Sequence, residues 1–249
     1  MAPDARPELS PEILPHGLDG LLVRFSLSPD PRAMAAVQRL AADLSDRPPE
    51  GSVEIAPALV SCLLRFDPAR TRPEALEADL LARARAALVD GAPLAPRRRW
   101  TLPTAFGGAA GPELEPIARQ MGLTPDQAIA QICGTDLAVL AIGFAPGQPY
   151  LGLLPEGWNL PRLPDLVPEV PAGAVVVALR QIVIFGNPSP TGWRQVGRMA
   201  FRSFWPDRAE PMPLAPGDAI RLVPVPADRI AALEAEPDGM GGATCEAPA

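Results

Sequence analysis

The sequence predicts an α+β protein built from two parts, the second of which is mainly β. In residues 20–105, segments with alternating apolar residues are interleaved with segments in which apolar residues recur at helical spacing. From Leu137 onward, short apolar runs alternate with loops rich in proline and glycine, a pattern typical of a β-barrel or sandwich. With 249 residues, 47% of them hydrophobic, the chain is large enough for a core in each part.

The elements of the first part alternate between strand and helix. Residues 20–27 alternate between apolar and other side chains and predict a strand. Asp30 and Pro31 then supply a helix N-cap and a first-turn proline, and apolar residues follow at helical spacing. Residues 52–66 predict a hairpin, a second helix follows, and residues 98–105 predict a further strand. This order, strand–helix–strand–strand–helix–strand, is that of the ferredoxin-like fold.

The second part begins with two short helices and continues as strands. Residues 112–121 predict the first helix, and Thr124 caps the second, with Gln127 at its third position. Four later apolar runs predict strands, the last of them at residues 219–225. We expect three segments: an α+β domain at 1–95, a β domain at 96–228 and a flexible tail, opening with a short helix, at 229–249.

The composition excludes several kinds of chemistry. The chain has no lysine, so all 22 basic residues are arginine, and it can carry no P-loop lysine, Schiff-base lysine or biotinylated lysine. A net charge of −7 argues against non-specific nucleic-acid binding. The N-terminal residues lack the apolar segment of a secretory signal, and no apolar run is long enough to cross a bilayer. We therefore expect a cytoplasmic protein.

Few residues are candidates for catalysis by motif. His16 is the only histidine and the three cysteines are far apart, so we predict neither a metal site nor a disulfide framework. No nucleophile-elbow serine or nucleotide-binding glycine motif is present, and the catalytic residues stay unassigned. Arg97, Arg98 and Arg99 form a short basic run that we interpret as part of a solvated linker.

Residues 143–193 carry a dense concentration of glycine, proline and aromatic residues. They include the only tyrosine, Tyr150, and two of the four tryptophans. Arg162 offers a planar fork of donors for a carboxylate or phosphate, and Gln181 can both donate to and accept from an amide. Gly147 lets the backbone approach a ligand closely. Loops that only close the end of a barrel would have the same composition, so these residues alone leave both interpretations open.

Short motifs within and around this segment occur in a fixed order. They are GF, PG, YLG, PR, VPAG, GW, GR and PGD, at residues 143–144, 146–147, 150–152, 161–162, 170–173, 192–193, 197–198 and 216–218. In order and spacing they resemble the allophanate hydrolase subunit 1 family, also called the carboxyltransferase C/D-domain family. That family includes the B subunit of bacterial 5-oxoprolinase, the related part of urea carboxylase and a sporulation-kinase inhibitor. Weaker similarity extends the resemblance over nearly the whole chain.

The resemblance implies a cyclophilin-like β-barrel for the second domain and a role as one part of a larger complex. The implied activity is that of an ATP-dependent 5-oxoprolinase-like complex, a hydrolase that opens the cyclic amide of 5-oxoproline to glutamate. The implied partners are a companion protein of the allophanate hydrolase subunit 2 type, similar to the C subunit of 5-oxoprolinase, and a third, 5-oxoprolinase A-like subunit. ATP would bind at the level of this heteromer, with no biotin attached to this chain. The residues expected to bind substrate are Pro146, Gly147, Tyr150, Arg162, Gln181 and Trp193.

Several positions depart from the family pattern. Ile132 stands where the family usually has a histidine, and Gln148 where the PGF motif has an aromatic residue. Leu179 and Arg180 replace two glycines, and Thr191 replaces another. Losing the histidine removes a group that titrates near neutral pH. These departures predict a divergent member and keep two alternatives open: a non-catalytic binding or regulatory protein of the kinase-inhibitor type, or the carboxyltransferase half of a urea carboxylase-like system.

Overall fold

The computed structural model describes residues 8–89 and 95–247, and the chain divides into two units, Met1–Leu94 and Ala95–Ala249. Residues 1–7, 90–94 and 248–249 lie outside the described part, and they include the start of the predicted first domain and the end of the predicted tail. Across the described ranges, no helix is long and apolar enough to cross a membrane.

The first unit contains a four-stranded antiparallel sheet and two helices. Its elements are β1 Glu12–Pro15, β2 Gly20–Arg24, α1 Pro31–Asp46, β3 Ser52–Pro57, β4 Ser61–Phe66 and α2 Pro73–Val89. The strands lie in the order β1–β2–β4–β3. Helix α1 begins where predicted because the side chain of Asp30 accepts a hydrogen bond from the backbone N–H of Arg32 at 2.8 Å. Both helices bury one apolar face in a core shared with the strands.

The predicted hairpin is confirmed, but the ferredoxin-like arrangement is not. Strands β3 and β4 pair antiparallel, as predicted. The strand predicted at 98–105 belongs instead to the second unit. Strand β1, which has no predicted counterpart, pairs antiparallel with β2 at the edge of the sheet. Its four residues are too few, and too close to prolines, to show alternation in the sequence. The order of elements in this unit is therefore ββαββα.

The second unit is built around a closed barrel of seven strands, which confirms the α+β class and the barrel expected from the sequence. Its elements are β5 Arg99–Phe106, α3 Leu114–Gln120, α4 Pro125–Cys133, β6 Leu137–Ile142, β7 Pro149–Gly152, a short 3₁₀ helix Glu156–Trp158, β8 Val167–Val170, β9 Ala174–Ala178, β10 Gln181–Ile184, β11 Ser189–Thr191, β12 Arg194–Arg198, β13 Ala219–Pro224, α5 Ala227–Glu234 and β14 Thr244–Glu246. Hydrogen-bonded neighbours run in the order β12–β9–β10–β7–β6–β13–β5, and pairing of β12 with β5 closes the ring. The finer, cyclophilin-like assignment stays a prediction.

The two faces of the barrel strands bury different clusters. In β9, Val175 belongs to the large barrel core, whereas its neighbour Val176 belongs to a second cluster that also contains Trp193. Successive side chains of a strand point to opposite faces, so this second cluster lies on the outer face of the barrel wall. Strands β8 and β11 pair with each other, and Val170 of β8 is a buried member of the outer cluster. The candidate site is built on this outer face.

Residues 229–247, expected as a flexible tail, contain most of α5 and all of β14. Ile230 and Leu233 are buried in a small cluster with residues of the barrel. Strand β14 pairs antiparallel with β5. The glycines that suggested fraying instead allow a tight backbone path, because Gly241 has a positive φ and a Cβ there would lie 2.5 Å from the backbone nitrogen of Phe201.

Candidate functional site

Three of the residues predicted to bind substrate form one cluster on the outer face of the barrel. The Arg162 guanidinium carbon lies 5.6 Å from the centre of the Trp193 ring. The ring of Tyr150 meets Trp193 edge-on, with centroids 6.1 Å apart and an interplanar angle of 78°. Trp193 is buried and Arg162 is exposed, so the Trp193 ring packs beneath a guanidinium that is open to solvent. We call Arg162, Trp193 and Tyr150 the arginine–aromatic cluster.

Neighbouring strands and loops hold this cluster in position. Tyr150 pairs with Val183 across β7 and β10. The backbone N–H of Leu163 donates to the carbonyl of Gly192 at 2.7 Å, which aligns the Arg162 loop with the residue before Trp193. Thr191, one of the departures from the family pattern, accepts a hydrogen bond from the Trp193 backbone N–H at 3.0 Å through its hydroxyl. The cluster is thus fixed by hydrogen bonds at Thr191 and Gly192, the two residues that precede Trp193.

Pro146 and Gly147 lie in the turn between β6 and β7. Gly147 has φ +67°, and a Cβ there would lie 2.4 Å from the carbonyl oxygen of Ser203, so this position requires glycine. A Cβ on Gly186, just after β10, would lie 3.1 Å from Ser203 Oγ and 3.4 Å from the Pro146 carbonyl oxygen. The same turn holds Phe144 at φ 70°, a left-handed conformation that is strained for an aromatic residue. The turn, Gly186 and Ser203 therefore meet at one end of β10.

Two buried side chains at this place each have a polar atom without a hydrogen-bond partner. Gln148 and Ser203 are each 1% exposed. Neither Gln148 Oε1 nor Ser203 Oγ has a hydrogen-bond partner among the residues that the structure describes. We call these two residues the Gln148–Ser203 pair. Sequence patterns indicate Gln148 only as a departure from the family motif, and nothing in the sequence points to Ser203, which gains its neighbours from a distant part of the chain.

Gln181, the remaining predicted residue, lies at the end of β10 opposite to Gly186, and strand register places Trp193 at this same end. It opens the strand and pairs with Ala178, whereas Gly186 follows the strand's end. Between Ala178 and Gln181, Leu179 and Arg180 both have positive φ values, 50° and 67°. The Arg180 Nε donates to the Leu154 carbonyl at 2.8 Å. The side chain that replaces the second family glycine is thus tied to a neighbouring loop.

The family motif PGD supplies a buried carboxylate with a structural role. Asp218 accepts two hydrogen bonds from Arg98, at 3.0 and 2.8 Å, and one from Trp100 Nε1 at 3.1 Å. The backbone N–H of Ala215 donates to the same carboxylate at 2.9 Å. The pKa of Arg98 is raised chiefly by its hydrogen bond to Asp218. Interpreting Arg98 as part of a solvated linker was therefore wrong, because its partner comes from a segment far along the chain.

The residues that most often act as nucleophiles or bases are poorly placed for it here. Ile132, at the family's histidine position, is fully buried in the barrel core. Burial raises the pKa of Cys62 to about 12 and that of Cys133 to about 11, so both thiols stay protonated near neutral pH. In residues 8–89 and 95–247, no group of three or more histidine, cysteine or acidic side chains is arranged to hold a metal ion. The arrangement is suited to binding through Arg162 and the aromatic rings.

Fold and motifs together define a class of protein: an α+β unit joined to a closed β-barrel that carries an ordered set of glycine and proline motifs. The family described as carboxyltransferase domain, subdomain C and D, matches residues 11–214. The chain therefore belongs to this family, which includes allophanate hydrolase subunit 1 and the B subunit of 5-oxoprolinase.

Individual relatives agree with this assignment. The chain is 35% identical over 191 residues to the B subunit of 5-oxoprolinase from Escherichia coli O157:H7, covering 76% of this chain and 84% of that protein. It is 27% identical over 215 residues to the B subunit of 5-oxoprolinase from Bacillus subtilis strain 168, covering 83% and 90% of the two chains. The crystal structure of Kluyveromyces lactis urea carboxylase shares the fold, with a TM-score of 0.72 and 18% identity over 98% of this chain and 24% of that one.

Proposed function

We propose that this protein is one component of an ATP-dependent 5-oxoprolinase-like complex, in which it helps to bind the cyclic amide. The observation that carries the proposal is the exposed Arg162 held above Trp193, within a chain whose relatives are named as B subunits of 5-oxoprolinase. A guanidinium presents parallel N–H donors that match a carboxylate, the charged group of 5-oxoproline.

The aromatic members of the cluster contribute orientation. Stacking on Trp193 restricts the Arg162 side chain, so less conformational freedom is lost when a carboxylate binds. Tyr150 supplies a phenolic hydroxyl beside the same ring. Gln181 is proposed as a further contact, because it pairs with Ala178 at the end of β10 where the register of β12 also places Trp193.

Partner proteins complete the proposed complex. The chain has no lysine and hence no P-loop lysine, which favours nucleotide binding on another component. Because its relatives are named as B subunits, their systems are implied to contain further subunits. We propose a companion of the allophanate hydrolase subunit 2 type and a third, A-like subunit, with this chain inactive on its own.

The test is reconstitution of the complex from separately purified subunits. We expect consumption of 5-oxoproline with ATP only when all the subunits are present. Replacement of Arg162 by alanine should lower kcat/KM roughly 30- to 150-fold, the effect of losing a charged hydrogen bond of about 2–3 kcal/mol. R162K should recover only part of that loss, because an ammonium keeps the charge but not the planar fork.

Arg119 provides the matched control. It is an exposed arginine on α3, outside the arginine–aromatic cluster, so R119A changes the net charge equally and should leave turnover unchanged. A fully assembled complex that does not consume 5-oxoproline would rule out the proposed activity. Equal losses in R162A and R119A would assign the effect to net charge instead of to the cluster.

One observation favours a second candidate, a binding or regulatory protein without turnover. Ile132 gives the barrel core an inert aliphatic side chain at the position where the family pattern has histidine. The same reconstitution separates the candidates. Stable assembly without turnover of 5-oxoproline or of urea-like amides supports the binding role, whereas consumption of a urea-like amide alone supports a carboxyltransferase half.

A further inference from the structure

The loop that carries Arg162 is joined to the barrel by hydrogen bonds on both sides of the arginine. After it, the backbone N–H of Leu163 donates to the carbonyl of Gly192 at 2.7 Å. Before it, the carbonyl of Leu160 accepts from the backbone N–H of Leu179 at 2.8 Å. Both bonds join backbone groups, which every residue except proline can supply in full, so this part of the attachment depends little on residue type.

A side chain supplies a further attachment, directly beside Arg162. Arg194 donates through Nε to the carbonyl of Pro161 at 3.3 Å. Pro161 immediately precedes Arg162, and Arg194 immediately follows Trp193. Because Arg162 stacks on the Trp193 ring, this bond joins the two segments of the arginine–aromatic cluster at residues next to the stacked pair.

A second hydrogen bond fixes the direction of the Arg194 guanidinium. Its Nη1 donates to Glu113 Oε2 at 3.1 Å, and the two side chains are only 15% and 27% exposed. Glu113 is itself held, because its backbone N–H donates to the Gln195 carbonyl at 3.0 Å. A guanidinium carries its donors on separate nitrogens in a rigid planar fork, so Arg194 can bind the carboxylate and the Pro161 carbonyl at once.

We propose that Arg194 is a positioning residue for the candidate site. Held by Glu113, it fixes the Pro161 carbonyl and thereby keeps Arg162 stacked on Trp193 in the orientation that receives a carboxylate. Pro161 and Arg162 are both exposed, so without this restraint the loop would lose more conformational freedom when a ligand binds. The identity of the carboxylate rests on the proposed function, whereas the restraint rests on the two bonds of Arg194.

Hydrogen exchange of the free protein tests the restraint without any ligand. The reporter is the backbone N–H of Leu163, whose bond to Gly192 opens when the loop moves. Arg194→Met keeps an aliphatic stem but removes both side-chain bonds, and we expect the Leu163 amide to exchange roughly 3- to 10-fold faster. Arg194→Lys should speed exchange by a similar factor, because one nitrogen replaces the two that bind Glu113 and Pro161.

Arg198→Met is the matched control for this measurement. Arg198 lies on the same strand, β12, and its side chain pairs with Glu234 of α5. Its replacement removes a comparable ion pair and should leave exchange of the Leu163 amide unchanged. Unchanged exchange in Arg194→Lys would show that the pair with Glu113 is sufficient, and equal acceleration in Arg198→Met would show a general loosening of β12. Either result overturns the proposal.

Kinetics of the assembled complex test whether the restraint acts through Arg162. We expect Arg194→Met to raise KM for 5-oxoproline roughly 3- to 10-fold and to leave kcat within about twofold. In a complex that already carries Arg162→Ala, the same substitution should change KM by less than about twofold, because the guanidinium that Arg194 positions is gone. A residue that only stabilises the fold would have the same effect in both backgrounds.

The two experiments separate this proposal from the proposed function. If 5-oxoproline is turned over and Arg194→Met has the same effect with and without Arg162, the function stands and the positioning role is wrong. If the assembled complex does not turn over 5-oxoproline, the hydrolase function is wrong, and exchange of the Leu163 amide decides whether Arg194 restrains the loop. Faster exchange in both Arg194 variants, with no change in Arg198→Met, supports the restraint in either case.

Discussion

Asp218 and Gln148 are both buried polar residues of the second unit, at 0% and 1% exposure, yet their surroundings are opposite. The Asp218 carboxylate receives donors from Arg98, from Trp100 and from the backbone of Ala215. The Gln148 Oε1 receives no donor from any residue in the described part of the chain. Asp218 and Gln148 are buried to nearly the same degree, and they differ in whether hydrogen-bond donors reach their side-chain oxygens.

This difference separates a carboxylate that holds the fold together from an amide whose oxygen receives no donor. A buried charge that is paired and fully hydrogen-bonded holds distant segments together. Removing one partner strongly destabilises the fold, because the other charge is left buried without a counter-ion. A buried amide without a donor adds nothing to the folded state, so its retention needs another explanation. The comparison therefore predicts opposite mutational behaviour at two positions that burial alone would rank as equal.

The largest expected effect is at Asp218. Asp218→Ala leaves the part-buried Arg98 without its carboxylate, and we expect the free energy of unfolding to fall by about 3–5 kcal/mol. Urea unfolding followed by tryptophan fluorescence measures this, because all four tryptophans lie in the second unit. Asp136→Ala is the control, since its pairs with Arg99 and Arg221 are exposed and each is worth less than about 1 kcal/mol. Equal losses in the two variants would remove the basis of the comparison.

An intermediate effect is expected at Asp30, a carboxylate with similar partners nearer the surface. It caps α1 and also binds the Arg32 side chain at 2.9 Å. Asp30→Ala should cost about 1 kcal/mol, measured by hydrogen exchange of the α1 amides. Asp30→Asn keeps the cap and tests the ion pair alone.

The contribution of Asp30 should also depend on pH. The hydrogen bond from the Arg32 side chain holds the pKa of Asp30 below its ordinary value of 3.8. A carboxyl group with a lowered folded pKa stabilises the protein above its unfolded pKa, and that stability is lost as the pH falls through the folded pKa. The difference between the original protein and Asp30→Ala should therefore be full above about pH 5 and shrink below pH 3.8. A difference that does not change across this range would contradict the assigned cause.

The smallest effect extends the comparison to the strained turn between β9 and β10. Leu179 has φ 50° and makes no side-chain hydrogen bond, so Leu179→Gly should raise the free energy of unfolding by about 0.5–1 kcal/mol. Arg180→Gly relieves similar strain but loses the bond from Nε to the Leu154 carbonyl, so we expect little net change. Urea unfolding compares the two variants, and a larger gain in Arg180→Gly would show that its hydrogen bond contributes nothing.

Much of the fold is predictable because its signals are local. Asp30 and Thr124 cap helices as their sequence context indicates, and the capping box of Thr124 and Gln127 is present in full. The hairpin at residues 52–66 follows from apolar runs separated by a turn. The sequence also predicts strand β5, but counting it with the first sheet is wrong, because its periodicity is equally compatible with either sheet.

The candidate site is predictable only in part. The motifs indicated Arg162, Trp193 and Tyr150, and the structure brings these three together, although their role in binding stays a prediction. Gln181 opens β10 at the end of the sheet where strand register also places Trp193, and its role in binding likewise stays a prediction. Ser203 is part of no motif, and its importance depends entirely on which turn lies against it.

The sequence by itself determined the α+β class, the limits of most helices and strands, the absence of lysine chemistry and the family. These follow from spacing, caps and composition, which act over a few residues. Only the tertiary structure determined which buried polar groups have hydrogen-bond partners. Arg98 and Asp218 meet across 120 residues because β13 pairs in parallel with β5, and Ser203 is buried because the β6–β7 turn lies against it. Such long-range pairings depend on how strands are ordered around the ring, and local periodicity carries no information about that order.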